Sequence, residues 1–268
     1  LRLNPTLIRA ASLLARLYAG PLQHQEQDDN GLRFALQARK LVPDDPYVAG
    51  YLGKLAFQQG DAQWAFSLLT ESLEKLPDHA GFLFDYASAA YVLGKIGQAE
   101  AAFQKVVDQS IERSGAARSY LSMISARNQP NEIIPSIVIQ ADAILNDAPE
   151  HLAAQMVRAA GHLLTGNTKA AIAIYEGLIK RYADFALAQR ELAFIYSRDS
   201  TKNSQAEDLA SKAYLALPED HRSRAVRESG TGRCFHCDSP VLFRNVPNQD
   251  WRHWQRKGDL EASPRTRP

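Results

Sequence analysis

The sequence predicts an all-α protein built from repeated helix pairs, and three observations lead to this prediction. Dipeptides of glycine and a polar residue recur 34 residues apart, at Gly60-Asp61 and Gly94-Lys95. Prolines recur near the ends of the repeated segments, where they stop helices and turn the chain. The apolar residues between these signals follow a helical period. A repeat period of about 20–50 residues is typical of arrays of stacked units.

Each repeated unit is expected to hold two amphipathic helices joined by a tight turn that contains glycine. From Trp64 to Leu76, apolar and small residues fall on one helical face. Because one such pair cannot cover its own apolar faces, it must stack on its neighbours. We expect about 11–13 helices and no sheet of more than two short strands.

Small residues at fixed places indicate how the helices approach each other. The first helix of each unit carries one at Gly53, Ala87, Ser125, Ala159 and Ala193. The second helix carries one at Ala65, Ala99, Ala171 and Ala206. Helix axes at such contacts lie at the short end of the usual range of about 8–10 Å, so a larger side chain would push the helices apart.

This spacing and residue pattern resembles the tetratricopeptide repeat, whose units of about 34 residues carry small residues and a proline at fixed places. The match is closest at residues 46–79 and 80–113. The register predicts an array over residues 1–220, with units at about 12–45, 46–79, 80–113, 114–151, 152–185 and 186–220. The first unit is degenerate, and the fourth departs most because Ile137 stands where alanine is expected. The resemblance implies a right-handed superhelix (a solenoid) of five to six helix pairs.

The resemblance also implies a concave groove, lined mostly by the first helix of each unit, that holds an extended peptide or a partner's helix. Its exposed positions correspond here to Tyr47, Lys54, Gln58, Phe84, Ser88, Tyr91, Met156 and Arg190. The alternative for each residue is an ordinary solvated or half-buried position without a ligand. Some members of the family clamp a C-terminal carboxylate with paired polar residues. That clamp is not expected here, because Lys54 has no Asn or Arg counterpart at Ser88.

The charge distribution separates the end of the chain from the repeats. Residues 1–220 hold 21 Lys and Arg against 25 Asp and Glu, whereas residues 221–268 hold 10 against 5. The apolar residues of this basic tail show no sustained helical or strand period, so we expect an irregular or disordered segment. A further hypothesis is that the tail comes from a frame shift or truncation in the source gene. The codons of Trp251 and Trp254, read one base later, both give glycine.

Two binding functions of the tail are alternatives to a merely charged segment. A zinc site could use His221, Cys234, His236 and Cys237. Only His253 lies downstream as a further ligand, so the second ligand pair of a structural site is missing. The basic residues beside Trp251 and Trp254 could form a platform for single-stranded nucleic acid, but the arginines follow no period that places them on one face. We therefore expect no metal, cofactor or nucleic acid.

The leading hypothesis is a non-enzymatic protein-interaction scaffold, because the sequence shows no catalytic or phosphate-binding motif. We expect no membrane span, since no apolar run approaches the roughly 20 residues required. The chain starts at Leu1, and we interpret it as a fragment of a larger, bacterial-type repeat protein. We expect the uncapped last unit of this fragment to self-associate or to use part of the tail as a cap. The compartment stays open between cytoplasm and bacterial periplasm. The enzyme alternative is a regulatory repeat domain whose catalytic part lies elsewhere.

Overall fold

A computed structural model describes residues 30–109, 111–126 and 134–216, with single positions between residues 10 and 17. This part of the chain forms eleven α-helices, one 3-10 turn and no strand. The helices are α1 (Asn30–Leu41), α2 (Pro46–Gln58), α3 (Ala62–Lys75), α4 (Ala80–Val92), α5 (Ile96–Gln109), α6 (Ile111–Ala126), α7 (Ile134–Asp147), α8 (Leu152–Leu164), α9 (Thr168–Arg181), α10 (Ala186–Tyr196) and α11 (Asn203–Ala216). The all-α helical-repeat prediction and the expected helix number are confirmed. The handedness of the superhelix stays a prediction.

Along the chain, the first and second helices of the repeat units alternate. We call α2, α4, α6, α8 and α10 the A helices, and α3, α5, α7, α9 and α11 the B helices; α1 is the second helix of the first unit. No helix among the described residues is both long and apolar enough to cross a membrane. The basic tail lies outside the described residues. Its cysteine and tryptophan clusters and the frame-shift hypothesis are therefore not tested.

Glycines in a left-handed conformation close the turns within the units. Gly60 has φ +90°, and its N–H donates to the carbonyl of Phe57 at 3.0 Å. The next N–H, of Asp61, reaches back to the carbonyl of Ala56 at 3.0 Å. These two bonds form a Schellman cap, which favours glycine because a Cβ is strained at positive φ. Gly94 and Gly166 repeat this conformation, with φ +73° and φ +78°.

A second type of turn joins one unit to the next, and we call these the unit turns. They lie at residues 42–45, 76–79, 148–151 and 182–185, and in each the last N–H donates to the carbonyl three residues earlier. The last residue of the first three unit turns also caps the following A helix. Asp45, His79 and His151 accept hydrogen bonds from backbone N–H groups of the first helical turn. Phe185, at the same place, makes no such bond.

The fourth unit departs from the predicted register. Helix α6 begins at Ile111, before the boundary expected between residues 113 and 114, because no proline follows α5 to stop the chain. The small-residue prediction for Ser125 is wrong, since this residue is exposed and its hydroxyl donates to the carbonyl of Ser122 at 3.0 Å. In the last unit, a 3-10 turn at Ser200–Lys202 lies between α10 and α11.

The other small residues are buried, as a close helix contact requires. A Cβ on Gly53 would stand 2.8 Å from Cγ of Leu69 in the neighbouring B helix. Ala65 and Ala99 are fully buried. One buried apolar cluster continues from Ala62 in α3 to Ala206 in α11. The stacked units therefore share a core, as a repeat array requires.

Replacing Ala99 by Phe should lower the free energy of unfolding by roughly 1–3 kcal/mol, because a close-packed helix contact cannot absorb the ring. Ala101 lies on the same helix and is exposed, so Ala101→Phe is the matched control. Urea unfolding followed by circular dichroism measures both variants. Equal stability of the two would show that Ala99 does not face another helix.

Candidate partner-binding face

The predicted groove residues fall into two groups in the structure. Tyr47 is exposed, and Lys54, Gln58 and Phe84 are half-buried, so these four residues offer surface on α2 and α4. The remaining four are more enclosed. The structure buries Ser88, Tyr91 and Met156 and leaves Arg190 half-buried.

Tyr47 is the most accessible aromatic residue of the predicted set, with 47% of its surface exposed. Its helix begins at the preceding residue, Pro46, and the carboxylate of Asp45 accepts the N–H of Tyr47 at 2.9 Å. The ring stands edge-on to His79 at a centroid distance of 5.9 Å and to Phe82 at 6.3 Å. The cap and these ring contacts fix an exposed aromatic side chain on a rigid helix end.

Phe84 lies on α4 among aromatic and charged groups. Its ring packs edge-on against Phe103 at 5.4 Å and Tyr120 at 5.8 Å. The guanidinium carbon of Arg113, from α6, lies 5.6 Å from the centre of the Phe84 ring. Phe84 is thus half-buried, with a cation over its ring.

Two charged residues near this group, Asp85 and Arg113, were not predicted. Burial raises the pKa of the Asp85 carboxyl, and the positive charges of Lys54 and Arg113 oppose this shift. The three charges come from α2, α4 and α6, so they span three successive A helices. The sequence does carry a signal for Asp85, because it is the only charged residue of α4.

The enclosed residues are buried or half-buried rather than open surface. The Ser88 hydroxyl donates to the Phe84 carbonyl at 2.9 Å and also hydrogen bonds with Tyr120. Tyr91 is only 1% exposed, with its ring edge-on to Tyr120 at 6.1 Å. Arg190 forms an ion pair with Glu191 at 2.7 Å.

Tyr120 of α6 is the centre of the aromatic cluster beneath the face. Its ring stacks on Phe103 at 4.6 Å and on His151 at 3.9 Å. The Tyr120 hydroxyl accepts the N–H of Leu152 at 3.4 Å. One side chain therefore links the helices α4, α5, α6 and α8.

His151 is held in one neutral form by its partners. Its Nδ1 accepts the N–H of Ala154 at 3.1 Å, so the ring proton must lie on Nε2. Nε2 lies 2.9 Å from the hydroxyl oxygen of Ser119 and donates to it. Burial lowers the pKa of His151 to about 4, although its backbone hydrogen bond acts in the opposite direction. The imidazole is therefore a neutral cap at pH 7.

The described residues thus define a helical-repeat protein whose A helices present a mixed aromatic and charged face. Residues 56–110 match the tetratricopeptide repeat family, which confirms the resemblance there. A comparison with curated proteins finds no match. Tetratricopeptide repeats are in general protein–protein interaction modules and typically lack catalysis. Within the described ranges, no group of three or more His, Cys, Asp or Glu side chains could hold a metal ion.

Proposed function

We propose that the chain is a non-enzymatic scaffold that binds a peptide or a helix of a protein partner on the face of its A helices. The proposed contacts are Tyr47, Lys54, Gln58 and Phe84. Ser88, Tyr91, Met156 and Arg190 shape the rest of the face as buried or half-buried walls. The observation that carries the proposal is the exposed Tyr47 ring at the capped start of α2. Half-buried charged residues lie on the same helix, at Lys54, and on α4, at Asp85.

The chemistry of the face favours a partner segment with apolar residues. Tyrosine and arginine are enriched among the residues that dominate the energy of protein interfaces. Around Asp85 the positive charges of Lys54 and Arg113 act on the carboxyl from two neighbouring helices.

A selection of peptides from a random library against the full chain tests this proposal. Affinity for the selected peptides is then measured in Tyr47→Ala and in Tyr214→Ala. These two tyrosines are 47% and 44% exposed, so the variants remove similar surfaces from α2 and α11. We expect Tyr47→Ala to weaken binding by at least about tenfold, as at an interface hot spot, while Tyr214→Ala leaves it unchanged. Peptides that depend on Tyr214 and not on Tyr47 would overturn the proposed face.

Three finer predictions go with this proposal. Self-association through the uncapped last unit of the array stays a prediction. Membership in a larger, bacterial multi-repeat protein also stays a prediction. The alternative, a regulatory domain of an enzyme, uses the same face but requires a catalytic partner domain.

A further inference from the structure

The unit turn at residues 182–185 contacts units that are not its neighbours. Tyr182 stacks on Phe57 of α2 at a centroid distance of 4.9 Å. Phe185 packs edge-on against Tyr91 of α4 at 5.8 Å. Units of a linear array touch only adjacent units, yet here the end of the unit 152–185 reaches the units 46–79 and 80–113.

The receiving residues occupy equivalent places in two successive units. Phe57 and Tyr91 lie 34 residues apart, each near the end of an A helix. Gly60 follows Phe57 in the turn after α2, and a Cβ on it would stand only 2.1 Å from the carbonyl oxygen of Arg181. Any side chain at this position would push the backbone of Arg181 away. We call Phe57, Gly60 and Tyr91 the aromatic slot.

The residues of the 182–185 turn differ from those of the other unit turns in a way that suits this contact. Phe185 stands where Asp45, His79 and His151 cap a helix, and it forms no side-chain cap bond. Tyr182 stands where the turn at 148–151 has Ala148. Both aromatic side chains are almost fully buried, at 2% and 0% exposure. Compared with the other unit turns, this turn lacks a side-chain cap and places two buried aromatic rings against the aromatic slot.

We infer that the 182–185 turn is an internal ligand of the A-helix face, and that a partner segment with two aromatic side chains three residues apart binds the aromatic slot by displacing it. This inference deepens the proposed function and rests on it for the partner. The turn occupies the ends of α2 and α4, whereas Tyr47 at the start of α2 stays exposed. A partner docked at Tyr47 therefore reaches the slot only when the turn leaves it. The apparent affinity is reduced by the fraction of molecules in which the slot is open.

The double variant Tyr182→Ala with Phe185→Asp tests this inference, because it gives the turn residue types found at Ala148 and Asp45. Small-angle X-ray scattering should show a larger radius of gyration than the unchanged chain, with the same helix content by circular dichroism. A labelled peptide of residues 179–188 should bind the double variant at least about tenfold more tightly than the unchanged chain. The same peptide with both aromatic residues replaced by Ala should bind neither.

A pair of glycine variants tests the contact without altering the turn. Gly60→Ala and Gly166→Ala both place a Cβ at positive φ, but a Cβ on Gly166 meets no atom within 4 Å. Only Gly60→Ala should therefore increase the radius of gyration.

An unchanged radius in both the double variant and Gly60→Ala, or equal peptide binding by the double variant and the unchanged chain, would overturn the inference. The radius of gyration and the binding of the 179–188 peptide are both measured without a change at Tyr47 and without a library peptide. Failure of the internal ligand is therefore distinguishable from failure of the proposed binding face.

Discussion

Replacing Tyr120 by Ala is expected to lower the free energy of unfolding by about 3–5 kcal/mol, the usual cost of deleting a large buried aromatic side chain. The ring lies 6% exposed at the centre of the cluster, stacked on Phe103 and His151. Its loss leaves a cavity where four helices meet. Urea unfolding followed by circular dichroism measures the effect.

Tyr120→Phe is the matched control, because it keeps the ring and removes only the hydroxyl that bonds Ser88 and Leu152. We expect it to cost about 1 kcal/mol, the net value of a typical hydrogen bond. If Tyr120→Ala lost no more stability than Tyr120→Phe, the ring would not be the centre of the shared core.

Acidification is expected to destabilise the fold through His151. The pKa of this group is about 4 in the folded state against an ordinary value of 6.5, so the unfolded chain binds the proton more readily. Its contribution to stability is complete above pH 6.5 and is lost as the pH falls toward 4. The loss amounts to roughly 2 kcal/mol at pH 5 and approaches roughly 3 kcal/mol near pH 4. The cause is burial, which disfavours the charged imidazolium.

His151→Asn is the control for this pH dependence, since the amide oxygen can cap α8 without titrating. Free energies of unfolding at pH 7.5 and pH 5.0 are compared in the two proteins. The variant should lose less stability on acidification than the unchanged chain. His79 contributes in the same direction, because burial and the nearby charge of Arg113 lower its pKa while its backbone hydrogen bond opposes them. Identical pH profiles would show that His151 does not carry the effect.

Much of the architecture follows from local signals in the sequence. Gly60 and Gly94 recur at the period of the repeat because a Schellman cap needs positive φ at that place. Ala65 and Ala99 recur because two helices must approach closely there. Because these requirements arise within one unit, the same residue types recur at a fixed spacing. This recurrence is visible in the sequence without knowledge of the packing.

The parts that were predicted less well depend on contacts between distant units. The family resemblance places Tyr91 at an exposed groove position. The structure buries it, with its ring edge-on to Tyr120 and Phe185, and nothing within its own unit indicates these two contacts. The repeat register also did not predict that α6 begins at Ile111, because no proline marks the end of α5. A signal for the 182–185 turn did exist, since Phe185 breaks the series of capping residues Asp45, His79 and His151.

The contact between Gly60 and Arg181 also bears on how the protein folds and unfolds. A linear stack can fray, because an end unit may melt while its neighbours stay intact. Here Gly60, just after α2, packs closely against Arg181 at the end of α9, so a unit between these two helices cannot melt without also losing this contact. The units between these helices are thereby coupled into one cooperative transition. The coupling has a kinetic cost, because contacts between residues far apart in sequence raise the contact order and slow folding.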